Sequence, residues 1–171
     1  MGSSGSKSGA YTSGLNPSDS IEATDRAEDQ GFKAFKLKIG FGKEVDERNL
    51  KAIRSKMTTG EKLFVDANQG FSLDSASNQM GMLADYGVDW FEESFVATAN
   101  SSEWKKFKAT CPIPLAGGEN LLSDRLLTEA FEWLQYIQPD IGKWGGVDGC
   151  FDIAKKANIA GKVYCPHWLS G

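Results

Sequence analysis

Three single carboxylates, Asp66, Glu92 and Glu119, recur 26 and 27 residues apart, each following a short apolar run. Carboxylate oxygens are hard donors of the kind Mg²⁺ prefers, and Mg²⁺ keeps positions open for water or substrate oxygens. Three anions at one place would raise one another's pKa, and a divalent cation resolves that repulsion. Around the triplet stand groups able to move protons. Lys36 and Lys38 are two residues apart, so on a strand they share a face. One ammonium beside another is expected to pull a lysine pKa down toward that of a working base. His167 is the only histidine, and Asp140 closes the apolar run before it, where a carboxylate can bond an imidazole and set its tautomer. Taken singly, each residue has an ordinary role: a surface acid, a solvated lysine pair, a packed histidine. Their common phase with the apolar runs favours metal-assisted proton transfer.

The elements that must position them follow from those runs. They start at residues 10, 35, 63, 88, 113, 134 and 163, steps of 25, 28, 25, 25, 21 and 29 residues. Such spacing fits a strand of about 5 residues, a helix of about 10–15 and two short loops. Helix signals lie between the runs: a polar stretch from Ser18 stopped by Gly31, then 43–57, 74–86 closed by Gly87, 123–133, and 147–160 before Gly161. Strands alternating with helices at this period predict an α/β protein with a parallel sheet. No G-x-G-x-x-G or Walker pattern follows any strand, which disfavours an open nucleotide-binding sheet. Six successive strands end in an ionisable group, and in a (β/α)₈ barrel such ends share the rim where active sites are built.

The composition excludes other classes. Of 171 residues, 40% are hydrophobic and 25% charged, with Lys+Arg 19 against Asp+Glu 23 giving a net charge of −4. No basic excess draws in nucleic acid or an anionic membrane, and no apolar run reaches the roughly 18 residues of a membrane span. Three cysteines, Cys111, Cys150 and Cys165, form no C-x-x-C pair, as expected of a reducing, cytoplasmic setting. Residues 1–9 are mostly Gly and Ser and read as a tail or cloning scar, leaving 10–171 as the folded part.

The segments YTSGLNP, GFKAFKLKIGFG, FVDANQGFS, DWFEES, PLAGGEN, QPDIGKWGG and YCPHW, in that order, resemble the mandelate racemase and muconate lactonizing enzyme group of the enolase superfamily. The resemblance implies a TIM-type barrel and Mg²⁺-assisted enolisation of a small-molecule carboxylate, an acid sugar or 2-hydroxy acid, by a dehydratase or racemase. It implies Asp66, Glu92 and Glu119 as metal ligands and Lys38 as base on one face of the substrate. Lys36 would contact the substrate carboxylate and tune Lys38, and the His167–Asp140 dyad would act on the other face. Asn68 would orient rim groups. Lys143 stands in the slot that serves the lactonizing and epimerase branch as second base; with the dyad present, it is read as a supporting hydrogen-bond donor. Glu93 is read as a neighbour of the ligands, Cys165 as packing, and Ser94 departs from the Glu-Glu-Pro usual in the group. Only seven strands are found against eight in the family's barrel, and roughly 250 residues are usual for that fold. The expectation is an incomplete barrel lacking its last strand and cap domain, and an inactive fragment. Two other readings stay open: a non-catalytic partial barrel that binds metal weakly, and an epimerase using Lys38 and Lys143. Self-association also stays open.

Overall fold

Apolar runs broken by glycines become the strands of one sheet. The computed structural model describes residues 9–168, so all but the last residue of the expected 1–9 tail lies outside the described residues. The elements alternate throughout: β1 Thr12–Leu15, α1 Ser20–Asp29, β2 Ala34–Lys38, α2 Lys43–Lys56, β3 Lys62–Asp66, α3 Leu73–Asp85 and β4 Trp90–Glu92. There follow α4 Ser101–Thr110, β5 Leu115–Gly117, α5 Asp124–Ala130, β6 Tyr136–Ile137, α6 Gly146–Ile159 and β7 Val163–Tyr164. All neighbouring strands pair in parallel, in the order β1-β2-β3-β4-β5-β6-β7, and the sheet curls into an incomplete TIM-type barrel. Among the described residues β1 and β7 are edges.

The two-residue period of the strands divides the interior. One set (Phe35, Leu37, Leu63, Val65, Phe91, Leu115 and Ile137) is fully buried against helices through residues such as Leu50, Ile53, Leu83 and Leu127. The alternate set faces the inside of the curled sheet. There Phe64, Trp90 and Ala116 pack with Tyr11, Ala34, Tyr136 and Cys165, and the Phe64 and Trp90 rings stack 3.6 Å apart. Lys36 belongs to this inner set, its Nζ 5.3 Å from the Tyr11 ring centroid. That settles which face the lysine pair occupies. Cys165 packs in the same cluster, as expected.

Two element expectations need correction. The first strand lies at Thr12–Leu15 instead of 10–12, with a register irregularity against β2. Helix α4 was not anticipated. Its signal was present: Asn100 caps the Glu103 backbone N–H at 3.0 Å, and the Glu103 side chain accepts from the Asn100 N–H at 3.2 Å. Trp104 and Phe107 of α4 pack on Phe95, with the Phe95 and Trp104 rings stacked at 3.9 Å.

Candidate active site

Strand β2 delivers both lysines to the inner face. Lys36 is 2% exposed, and its Nζ donates to Glu92 Oε1 at 2.5 Å and lies 3.6 Å from Asp66 Oδ2. Lys38, nearer the rim, donates to the same Asp66 oxygen at 2.5 Å. It borders an open cavity of about 380 Å³ shared with Asn16, Gly40, Phe41 and Asn68. The expected depression of a lysine pKa is corrected for Lys36. Burial does pull it down, but the interactions with Glu92 first, and with Tyr11 and Asp66, outweigh burial and hold it above the ordinary lysine value. For Lys36 the facing carboxylates, Glu92 first, decide the outcome.

The first two carboxylates sit opposite each other, Asp66 in register with Glu92 across β3 and β4. Asp66 Oδ1 accepts the Asn68 backbone N–H at 2.8 Å. Asn68 and Gln69 both take left-handed backbone angles, φ 48° and 62°, which turn the chain sharply at the rim. Glu92 Oε2 accepts from Gln138 Nε2 at 3.0 Å. Burial raises the Glu92 pKa despite Lys36 and the amide. Glu119 follows β5, and its Oε2 lies 2.9 Å from His167 Nε2. Burial would raise Glu119, but the histidine contact overcomes it and holds the carboxyl below its usual value.

On the far side, His167 Nδ1 is 2.6 Å from Asp140 Oδ2, and the two residues form a parallel bridge beyond β6 and β7. Both ring nitrogens therefore face carboxylate oxygens, an arrangement only the doubly protonated imidazole satisfies. The hydrogen bond to Glu119, helped by Asp140 and opposed by burial, raises the His167 pKa. Asp140 is lowered: burial raises it, and the His167 and Lys143 contacts prevail. Lys143 donates its backbone N–H to Asp140 Oδ1 at 3.0 Å, while its Nζ reaches Asn120 Oδ1 at 3.3 Å and the Glu119 carbonyl at 3.4 Å. All nine expected residues thus gather at one end of the sheet, Asn68 and Lys143 partly through backbone groups.

Three side chains here were missed or underrated. Gln138 is buried on the inner face, its Oε1 without a partner. It stands two residues before Asp140, so strand period alone would have put both on one face. Asn120 donates to Glu119 Oε1 at 3.3 Å and to Glu93 Oε2 at 3.1 Å. Glu93, beside the Glu92 ligand candidate, has φ 42° and turns its buried carboxyl behind β5. Its Oε1 accepts the Gly118 N–H at 3.2 Å and lies where a Cβ on Gly117 would come within 3.0 Å. Burial pushes the Glu93 pKa up to about 7 against the Asn120 and Gly118 hydrogen bonds.

Among the described residues, no three His, Cys, Asp or Glu side chains converge closely enough to hold an ion. The donor set still suits a hard divalent cation, since Asp66, Glu92 and Glu119 are buried carboxylates from adjacent strands or the loop after them. Their oxygens are engaged by Lys36, Lys38, Gln138 and His167, with which a cation would compete.

The chain is similar to known proteins over most of its length. Residues 19–171 match the family model for the enolase C-terminal domain-like family. The chain is 33% identical over 172 aligned positions to D-galactarolactone cycloisomerase of Agrobacterium fabrum, covering 95% of this chain and 45% of that protein. A mandelate racemase/muconate lactonizing enzyme structure from Bordetella bronchiseptica superposes with TM-score 0.90 at 38% identity, over 95% of this chain and 45% of that one. A racemase from Streptomyces coelicolor with bound magnesium superposes at 0.82 with 25% identity, covering 88% and 46%. Other relatives are named as dehydratases and epimerases. The chain spans less than half the length of each of the three proteins compared in detail.

Proposed function

The chain belongs to the enolase C-terminal domain-like family, and from that premise we propose that its site serves Mg²⁺-assisted removal of the proton α to a carboxylate. The substrate class is an acid sugar or 2-hydroxy acid, and the outcome dehydration or racemisation. The observation that carries this reading is the pairing of two proton-moving groups with one carboxylate cluster: Lys38 against Asp66 and His167 against Glu119.

Asp66, Glu92 and Glu119 would hold the metal, which when bound supplies positive charge to stabilise the enediolate formed on loss of the α-proton. The chain's own groups do the rest. Lys38, in its unprotonated form, takes the proton at Nζ from one face. Lys36, kept protonated by its carboxylate neighbours, offers a fixed buried ammonium to the substrate carboxylate. His167, charged and steadied by Asp140, delivers a proton from the opposite side. Delivered to a departing 3-hydroxyl, that proton completes a dehydration to a 2-keto acid; delivered to the α-carbon, it inverts the centre. Lys143 is turned toward Asn120 and the Glu119 carbonyl, which favours His167 over Lys143 as the second proton-moving group.

Two measurements test the reading. Titration calorimetry should detect Mg²⁺ binding that Glu92→Gln with Glu119→Gln abolishes; equal heats from both proteins would remove the metal assignment. Incubation with aldonic and aldaric acids in D₂O should exchange the α-proton, and exchange that survives both Lys38→Ala and His167→Asn would refute the assigned bases.

A further inference from the structure

Glu92 and Glu93 are consecutive, so strand alternation already sends their carboxyls to opposite sides of the sheet, and Glu93 in addition takes a left-handed φ of 42°. A non-glycine residue held there is strained and persists only where the surroundings fix it. What fixes Glu93 is specific. Gly117 leaves room for its Oε1, Gly118 donates a backbone N–H to the same oxygen, and Asn120 donates its side-chain amide to Oε2 at 3.1 Å. The same Asn120 nitrogen reaches Glu119 Oε1 at 3.3 Å, and the Asn120 oxygen accepts from Lys143 Nζ at 3.3 Å. Glu119 in turn presents its other oxygen to His167.

We infer that Glu93 is a positioning residue for this site: its buried carboxyl orients the Asn120 amide, and through that amide it fixes Glu119 beside His167. The amide is the side-chain link, beside the backbone contact at Gly118 just before Glu119. Asn120 can aim its nitrogen at Glu119 and its oxygen at Lys143 only in one flip state, and an acceptor at Glu93 selects that state. Glu93 itself touches neither substrate nor proton-moving group. The inference rests on the assignment of Glu119 to the reaction, and its test is arranged to separate the two.

The test is a mutant cycle on the full chain with two readouts. Glu93→Gln keeps the volume but must turn an NH₂ toward either the Gly118 N–H or the Asn120 amide. In metal-free protein, nitrogen-15 spectra are expected to show both the Asn120 side-chain amide and the His167 Nε2 resonance moved by Glu93→Gln. In an Asn120→Ala background the same substitution should no longer move His167. Calorimetry should show Mg²⁺ affinity reduced about tenfold in either single variant and no further in the double, as for other partners that orient metal ligands. An unmoved His167 resonance in folded Glu93→Gln, or additive losses in the double variant, overturns the inference. If Glu93→Gln does not fold, Glu93→Asp, which withdraws the carboxyl by one methylene, takes its place with the same two outcomes. Glu119→Gln is the control for the underlying reading. If it leaves Mg²⁺ affinity unchanged, the metal assignment falls, and Glu93 is judged on the metal-free spectra alone.

Discussion

His167 is gripped at both ring nitrogens by carboxylates, and Glu93 is a carboxyl sunk behind the sheet; both groups tie stability to pH. A histidine whose folded pKa is raised contributes stability that is fully present below its unfolded value of about 6.5 and is lost as pH climbs through the folded one. The stability difference between the parent and His167→Gln should therefore be largest near pH 5–6 and shrink toward pH 9, as read by urea unfolding. Glu93 acts with the same sign for a different reason. With its pKa raised from 4.5 to about 7, the folded state binds the extra proton between those values, so stability falls as pH rises across that window. Glu93→Gln should gain on the parent between pH 5 and pH 8 by up to about 3 kcal/mol; a flat difference would remove the buried-carboxyl interpretation. At this scale the sequence was legible wherever charge marked a strand end. Lys36, Lys38, Asp66, Glu92, Glu119, Asp140 and His167 all stood out for that reason, and they pair in two groups at one end of the sheet, the lysines with Asp66 and Glu92 and the histidine with Glu119 and Asp140. It was illegible in the pairing. Which cation takes which carboxylate depends on the stagger of the strands, and that pairing sets the upward direction for Lys36. The neutral amides of Gln138 and Asn120 left no trace in a charge pattern.

The elements succeed or fail by how they are ended. Helix α4 is capped at both partners of its Asn100–Glu103 box, and removing such a cap typically costs about 1 kcal/mol. Asn100→Ala should lose about that much in chemical denaturation and loosen Trp104 and Phe107 against Phe95. The β5 exit is narrower still. Gly118 has φ 128°, and a Cβ there would lie 3.2 Å from the Gln138 backbone nitrogen. Gly118→Ala should cost about 1–3 kcal/mol and weaken substrate-dependent exchange more than Asn100→Ala does, because it displaces the strand end that carries Gln138 as well as the loop leading to Glu119. Regular alternation of apolar runs and helix stops gave away the order of elements. Their edges were harder: β4 and β5 are three residues long and β6 and β7 only two, too short for a periodic signal to fix a boundary.

For the molecule as a whole, order should decline from the middle of the sheet outward. Strands β2 to β6 pair on both sides and carry most of the fully buried strand residues, whereas β1 and β7 pair on one side only among the described residues. Amides of residues 62–66 should therefore resist hydrogen exchange far longer than those of 162–168, measured by mass spectrometry of the two peptides. Equal protection would mean that the free edge of β7 is covered. His167 lies just past that lightly held edge, tied by its N–H to the Pro139 carbonyl at 3.0 Å and by its own carbonyl to the Ile141 N–H at 3.2 Å. The bridge between Asp140 and His167 is thus the last rung of a ladder as well as a side-chain contact. A ladder can slip only by whole residues, and one step turns every side chain to the opposite face. Slippage at β7 would bring Pro166 or Trp168 into line and turn the imidazole outward, with no intermediate setting. Damage to this edge should divide the population into two discrete settings of His167, so that its imidazole gives two resonances whose ratio changes while their positions hold constant.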